Sequence, residues 1–157
     1  MPRLGSLLVL LAVAIPLGCI DPAERRPGLW LSGTTFEGEV TDWSFTDAHP
    51  QIFIESRTPY LLRHSTTIAC AADGESFYVA ARNPTGKRWV ENVERDPNVR
   101  IEIAGTLYER KLEAIDDEEG IRAAYRAYAA KYGWPASPPP DAPETRYFRV
   151  VARDGGG

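Results

Sequence analysis

Two β-rich runs, Ser65–Ala72 and Ser76–Arg82, flank Asp73-Gly74-Glu75, and this pairing limits the fold more than any other feature of the chain. Asp-Gly between strands signals a tight hairpin, because glycine accepts the positive φ that such a turn requires. Other strand-like pieces surround it. Leu29–Leu31, Phe36–Thr41 and Gln51–Arg57 precede it, and in the last Ile52 and Ile54 alternate with Gln51, Phe53 and Glu55. Val99, Ile101 and Ile103 alternate with Arg100, Glu102 and Ala104, and Gly105 permits a bend into Thr106–Ile115. Period-two alternation of this kind marks half-buried strands. Two helices interrupt the series. Lys87–Arg95 predicts a short one, ended by Asp96-Pro97. Asp116, with Glu119 three residues on, predicts the N-cap of a longer one carrying an apolar stripe of Ile121, Ala124, Tyr125, Tyr128, Ala129 and Tyr132. A Pro-rich excursion over 136–143 leads to a last strand, Thr145–Ala152. Hairpin-linked strands with two helices predict a mainly β fold, an antiparallel barrel whose helices plug its gaps. Alternating βαβ units are absent from the pattern.

The N-terminus reads differently. From Leu4 to Leu17 no residue is charged, and Arg3 precedes the run. That length is short of the roughly 20 residues a membrane-crossing helix needs, which favours an export signal over residues 1–18. Ile15-Pro16-Leu17-Gly18-Cys19 resembles a bacterial lipoprotein signal, in which Cys19 is lipidated and anchors the chain to a membrane. Residues 19–28 then form a tether, 29–153 the barrel domain and 154–157 a frayed tail. Plain secretion or an uncleaved anchor are the alternatives. The expected location is exported and membrane-anchored.

The chain has two cysteines. With Cys19 lipidated, Cys70 is a lone thiol acting as a small buried hydrophobe; without lipid, a Cys19–Cys70 disulfide competes. Formal net charge is −4. Removing residues 1–18 removes one cation, Arg3, and takes it to −5. An acidic body argues against nucleic acid as a partner. His49 and His64 are the two histidines, and neither has a second ligand at the spacing a metal pair needs. His64 and Ser65 are neighbours on a strand and point to opposite faces, so they cannot form a nucleophile–base couple.

The anomaly in this acidic body is Arg82-Asn83-Pro84-Thr85-Gly86-Lys87-Arg88-Trp89, with three cations around a turn that feeds a helix. Thr85 supplies a hydroxyl, Gly86 lets the backbone approach a ligand, and the helix start presents free N–H groups. Together they suit a phosphate. The plain alternative is a solvated basic turn. Trp89 could stack on a ring or staple the helix to the barrel.

Several motifs follow one another in a set order: Asp42-Trp43-Ser44-Phe45, Glu55-Ser56-Arg57-Thr58-Pro59-Tyr60, the Asp73-Gly74 hairpin with Phe77-Tyr78-Val79, and Gly86-Lys87-Arg88-Trp89-Val90-Glu91-Asn92-Val93. Asp96-Pro97-Asn98-Val99-Arg100-Ile101, Tyr108 after Gly105, and Tyr125-Arg126 with Lys131-Tyr132-Gly133 complete the set. In this order they resemble the pyridoxamine-5′-phosphate-oxidase-like split β-barrel flavoproteins. The resemblance implies a six-stranded antiparallel split β-barrel, a homodimer, and FMN or the deazaflavin F420 in a groove between subunits. It places cofactor phosphate on Arg82, Thr85, Lys87 and Arg88, with His64 and Ser65 nearer the ring. One element departs from the pattern. Oxidases of the family carry Arg-x-x-x-Leu-Lys on the strand before the hairpin; here Arg63-His64-Ser65-Thr66-Thr67-Ile68-Ala69-Cys70 has Arg63 at its margin and no lysine.

Three readings follow. The first is a membrane-tethered flavin- or deazaflavin-binding oxidoreductase acting on a small molecule, in which the cofactor carries the redox chemistry. The second is an exported lipoprotein that keeps the barrel without the cofactor. Haem on the same barrel, through His64, is a third and lesser reading.

Overall fold

In a computed structural model, which describes Gly28 and residues 30–154, six antiparallel strands close on themselves and a seventh, short strand is added at one edge. Chain order is β1 (Thr34–Thr35), β2 (Gln51–Arg57), β3 (Arg63–Asp73), β4 (Ser76–Arg82), α1 (Arg88–Arg95), β5 (Asn98–Ile103), β6 (Thr106–Ile115), α2 (Glu118–Tyr132) and β7 (Thr145–Ala152). Around the barrel the order is β6-β5-β2-β3-β4-β7, with β7 pairing back onto β6. The expected six-stranded antiparallel split barrel is therefore the fold. The export signal, Cys19 and nearly all of the tether lie outside the described residues.

Alternation along each strand builds two cores. Ile52 and Ile54 of β2, Ile68 and Cys70 of β3, Phe77, Val79 and Ala81 of β4, and Val99, Ile101 and Ile103 of β5 point inward. Trp43 fills the barrel with them, its ring stacked on Phe77 at 4.5 Å. The opposite faces of β3, β4 and β7 carry Ala71, Tyr78 and Tyr147, which meet Ala124, Ala127 and Tyr128 of α2. Small alanines on both sides let helix and sheet approach closely, and Tyr128 donates its hydroxyl to the Ala69 carbonyl at 2.8 Å. Lys131 is held inside this layer, donating to the Thr46 and His49 carbonyls at 2.8 Å and lying 3.3 Å from the Cys70 sulfur. Burial pushes the Cys70 thiol up, and the Lys131 ammonium only partly offsets it. Among the described residues Cys70 is buried and free; Cys19, its only possible partner in the sequence, lies outside them.

Three local expectations need correction. Phe36–Thr41 forms no strand; the chain pairs only at Thr34–Thr35, in parallel with Thr106–Leu107. The reason is the edge on offer. β7 covers β6 from Arg110 to Ile115, which leaves only the first residues of β6 open. Trp30 and Leu31, likewise expected in a strand, are irregular. They form a strap instead: the Leu31 N–H donates to Glu55 Oε2 at 2.6 Å, and its carbonyl accepts from Arg100 at 3.3 Å. The cap of α2 is Asp117 rather than Asp116, its side chain accepting from the Gly120 N–H at 2.7 Å. The helix therefore starts one residue later. Ala124, Ala127 and Tyr128 face the sheet, and Ile121 is exposed. The bend at Gly105 is a two-residue hairpin, with Ala104 at φ 50° and Gly105 at φ 83° between paired Ile103 and Thr106, the double left-handed pattern that follows strand twist. Asp154 pairs with Lys111 at 2.9 Å at the surface, and the rest of the expected tail, 155–157, lies outside the described residues.

Candidate functional site

β4 ends at Arg82, and the chain must reverse to begin α1. Asn83 takes a left-handed φ of 48° and Gly86 one of 76°. The Asn83 N–H donates to the Glu144 carbonyl at 2.7 Å, and the Lys87 N–H to the Pro84 carbonyl at 3.1 Å. These bonds fix the turn against the start of β7. Lys87 is the N-cap of α1; its carbonyl accepts from the Val90 and Glu91 N–H groups at 3.0 and 3.2 Å. An ammonium cannot accept, so no side chain caps the first turn. The helix dipole adds to the positive charge of Lys87 and Arg88 there.

This helix start faces β3 and β4 across a cavity of about 380 Å³ lined by His64, Thr66, Thr67, Ile68, Ala69, Ala80, Ala81, Lys87, Arg88 and Trp89. Among the described residues no carboxylate lines it. Several other cations of the barrel are paired: Arg63 and Arg100 with Glu55, Arg146 with Glu94, Arg153 with Glu109. Lys87 and Arg88 have no carboxylate partner among the described residues. Among the described residues His64 Nδ1 is buried without a hydrogen-bond partner, and a buried polar atom in that state is costly unless something fills its bonding site. Two cations, an uncapped helix start, an orphaned imidazole nitrogen and two threonines make an anion-accepting surface. Ala69, Ala80 and Ala81 leave it room.

The predicted site residues separate into two groups. Lys87, Arg88 and His64 share the cavity. Arg82, Thr85 and Ser65 do not line it. Arg82, the last residue of β4 and paired with Thr145 of β7, lines instead a groove of about 790 Å³ between α2 and the Pro-rich excursion, with Arg122, Tyr125, Arg126, Trp134 and Tyr147 among its walls. Thr85 is exposed at the tip of the turn. Ser65 lies on the outer face of β3, where its hydroxyl and carbonyl accept from the Gly28 N–H at 3.3 and 2.9 Å. Strand alternation, which sends His64 inward, sends Ser65 outward. Trp89 is buried with its ring 5.5 Å from Phe148; it anchors the helix start to the barrel.

Thr66, Thr67, Ala80 and Ala81 were not singled out from sequence. The usable signal was register: residues of β3 and β4 level with the α1 turn must border whatever that turn borders. The second cation expected on β3 is missing in space as well as in sequence. Ile68 lines the cavity, and Arg63 turns instead to Glu55 at 3.4 Å. Among the described residues there is no cluster of three potential metal ligands.

No protein-family model and no curated protein matches the chain in sequence. Solved structures do match. A protein of Bacteroides thetaiotaomicron VPI-5482 assigned to 5-nitroimidazole antibiotic resistance superposes with a TM-score of 0.59, at 14% identity over 76% of this chain and 82% of the other. A conserved protein of Mycobacterium tuberculosis gives 0.54, also at 14% identity, over 76% and 87%. A Listeria innocua protein assigned as a pyridoxamine 5′-phosphate oxidase gives 0.51 at 14% identity, over 71% and 90%. The chain has their split-barrel fold. At this identity the likeness speaks to fold alone, and the cavity's chemistry must be argued from its own residues.

Proposed function

We propose that the cavity between β3, β4 and the start of α1 holds the phosphate end of a flavin or deazaflavin, FMN or F420, and that the protein is an oxidoreductase tethered to a membrane through Cys19 and working as a homodimer. The observation that carries this reading is the convergence of unpaired Lys87 and Arg88 with the orphaned His64 Nδ1 on one carboxylate-free cavity. These groups fit a phosphate. Lys87 gives a point charge and Arg88 a fork of donors; the first-turn N–H groups of α1 add a dipole. His64 Nδ1, in the tautomer that carries a hydrogen there, donates a further bond. Thr66 and Thr67 supply hydroxyls that donate or accept. The bound cofactor would supply hydride or electron transfer, and the protein would orient it and exclude water.

A second reading has its own observation. The β3 wall offers Ile68 where a second cation would strengthen the grip, and Arg82 is directed into the other groove. On that reading the barrel is an exported scaffold without redox chemistry. Absorption spectroscopy of the full chain purified from its own membranes separates the two, followed by titration of the purified protein with FMN and with F420. A flavin or deazaflavin band, or saturable binding weakened by Lys87→Ala, supports the first. A colourless protein that binds neither leaves the scaffold.

A further inference from the structure

The hairpin between β2 and β3 ends in an apolar tip. Tyr60, Leu61 and Leu62 are 84%, 79% and 67% exposed, and Trp30 on the strap is 68% exposed. The tip is built, not loose: the Thr58 N–H donates to the Leu62 carbonyl at 2.8 Å, and the Leu61 N–H to the Thr58 carbonyl at 3.0 Å. Leu61 holds a φ of 60°, a conformation that glycine or asparagine adopts at lower cost than leucine. The backbone is thus strained to keep a leucine pointing into solvent. At the base of the tip Arg57 and Arg63 are directly opposed across the last register pair of β2 and β3. Like charges in that position repel, and Arg63 is relieved on one side by Glu55 at 3.4 Å. An anion bridging the two would relieve the rest.

The path of the chain says what covers this tip. Gly28 is bonded to Ser65 at 2.9 Å, two residues along β3 from Arg63, about 7 Å at strand rise. Leu31 is bonded to Glu55, the residue that Arg63 also contacts. The N-terminal segment therefore joins the barrel at the end that carries the tip. Cys19 lies nine residues before Gly28, at most about 30 Å of extended chain, and Arg25 and Arg26 fall within that stretch. This inference rests on the proposed tether through Cys19: a membrane anchor there, or in a retained run Leu4–Leu17, is joined to the barrel at this end.

We propose that the Tyr60-Leu61-Leu62 tip, with Trp30 and the Arg57/Arg63 pair, docks into the interface of an anionic lipid bilayer. Leucines enter the acyl boundary, Tyr60 and Trp30 occupy the headgroup level that amphipathic rings favour, and the two guanidinium groups meet lipid phosphate. A narrow protruding loop suits a bilayer better than a second copy, since a stable dimer needs roughly 800 Å² from each partner. Docking here would fix the orientation of the barrel on the membrane whatever the cavity beside α1 holds.

The test uses the full chain on vesicles of phosphatidylcholine with and without phosphatidylglycerol, both carrying a nitroxide lipid labelled near the headgroup. Tryptophan emission of the wild type should shift to the blue and be quenched, more strongly with phosphatidylglycerol, and Trp30→Phe should remove that signal. Leu61→Asp/Leu62→Asp should abolish it while the chain still sediments with vesicles through its N-terminal segment. Leu61→Asn relieves the left-handed strain; it should raise the melting temperature and weaken the quenching, which separates docking from folding. Undiminished quenching in the double variant would overturn the proposal. So would a solution dimer of the wild type that the double variant dissolves in analytical ultracentrifugation, since the tip would then be a protein interface.

Discussion

Replacing Glu55 by alanine should loosen the N-terminal strap and lower stability by about 3 kcal/mol. Glu55 is 4% exposed and its carboxylate serves three partners: the Leu31 N–H at 2.6 Å, Arg100 at 3.2 Å and Arg63 at 3.4 Å. Arg63 is largely hydrated and contributes little to the sum. Arg100 is only 16% exposed, and without Glu55 its nearest carboxylate is Glu109 at 4.0 Å. Breaking a buried pair costs about 3–5 kcal/mol, and the partial hydration of Arg100 puts this one at the low end. Glu55→Gln keeps an acceptor for Leu31 but removes the charge, for about 1.5 kcal/mol. In a domain of about 125 ordered residues, ~2 cal/mol/K of unfolding entropy per residue turns these into melting-temperature losses of roughly 11 and 6 °C. Thermal unfolding followed by circular dichroism measures both. In Glu55→Ala, protease cleavage should also appear between Trp30 and Thr35. If Glu55→Ala melts within about 2 °C of wild type, the strap is not held by this carboxylate and the reasoning fails.

Gly33→Ala should destabilise by about 1–3 kcal/mol, because a Cβ there would collide with the Gly105 carbonyl oxygen, and urea midpoints would measure it. In a Cys19→Ser chain, Cys70 should resist a thiol reagent at about pH 8 until the protein unfolds, since burial holds the thiol protonated; rapid native labelling would contradict that. Alkaline stability should fall as pH rises from 10. Burial and the neighbouring Cys70 push Tyr132 up from 10.0 to about 12, and Tyr128 is raised well above its ordinary value. The folded state thus holds protons that the unfolded state releases. The stabilising contribution of Tyr132 is complete below pH 10 and is lost as pH climbs through about 12. Denaturant midpoints across that range should fall less steeply in Tyr132→Phe than in wild type.

Much of the barrel was legible because alternation is local. Ile52/Ile54 and Val99/Ile101/Ile103 declare their inward faces two residues at a time, and Asp73-Gly74 places the central hairpin. What failed depended on distant partners. Whether Phe36–Thr41 pairs is decided by how much of β6 is left open by β7, and the strap at Leu31 exists because Glu55 and Arg100 meet on adjacent strands. The cap of α2 moved one residue because Asp116 and Asp117 are equivalent by type, and only the geometry at Gly120 distinguishes them. In the candidate site, Lys87 and Arg88 were legible from the turn and helix start. Arg82 lies close in sequence to both, but at the end of β4, beside Thr145, it borders the groove against α2 instead. Ser65 enters the site with His64 only through the family resemblance, and strand alternation, already legible in the sequence, sends it to the other face. His64 stands out only in three dimensions, where its Nδ1 is buried and unpartnered.

The measurement that bears most directly on the cavity is the ratio of affinities for FMN and riboflavin, which differ by the phosphate alone. Charge-assisted hydrogen bonds from Lys87, Arg88 and the start of α1, each about 1.5–3 kcal/mol, predict that FMN binds at least roughly tenfold more tightly. Lys87→Ala/Arg88→Ala should bring the two affinities together. Equal affinities in the wild type, or no binding of FMN, riboflavin or F420, would contradict the assignment of this cavity to the phosphate of a flavin or deazaflavin.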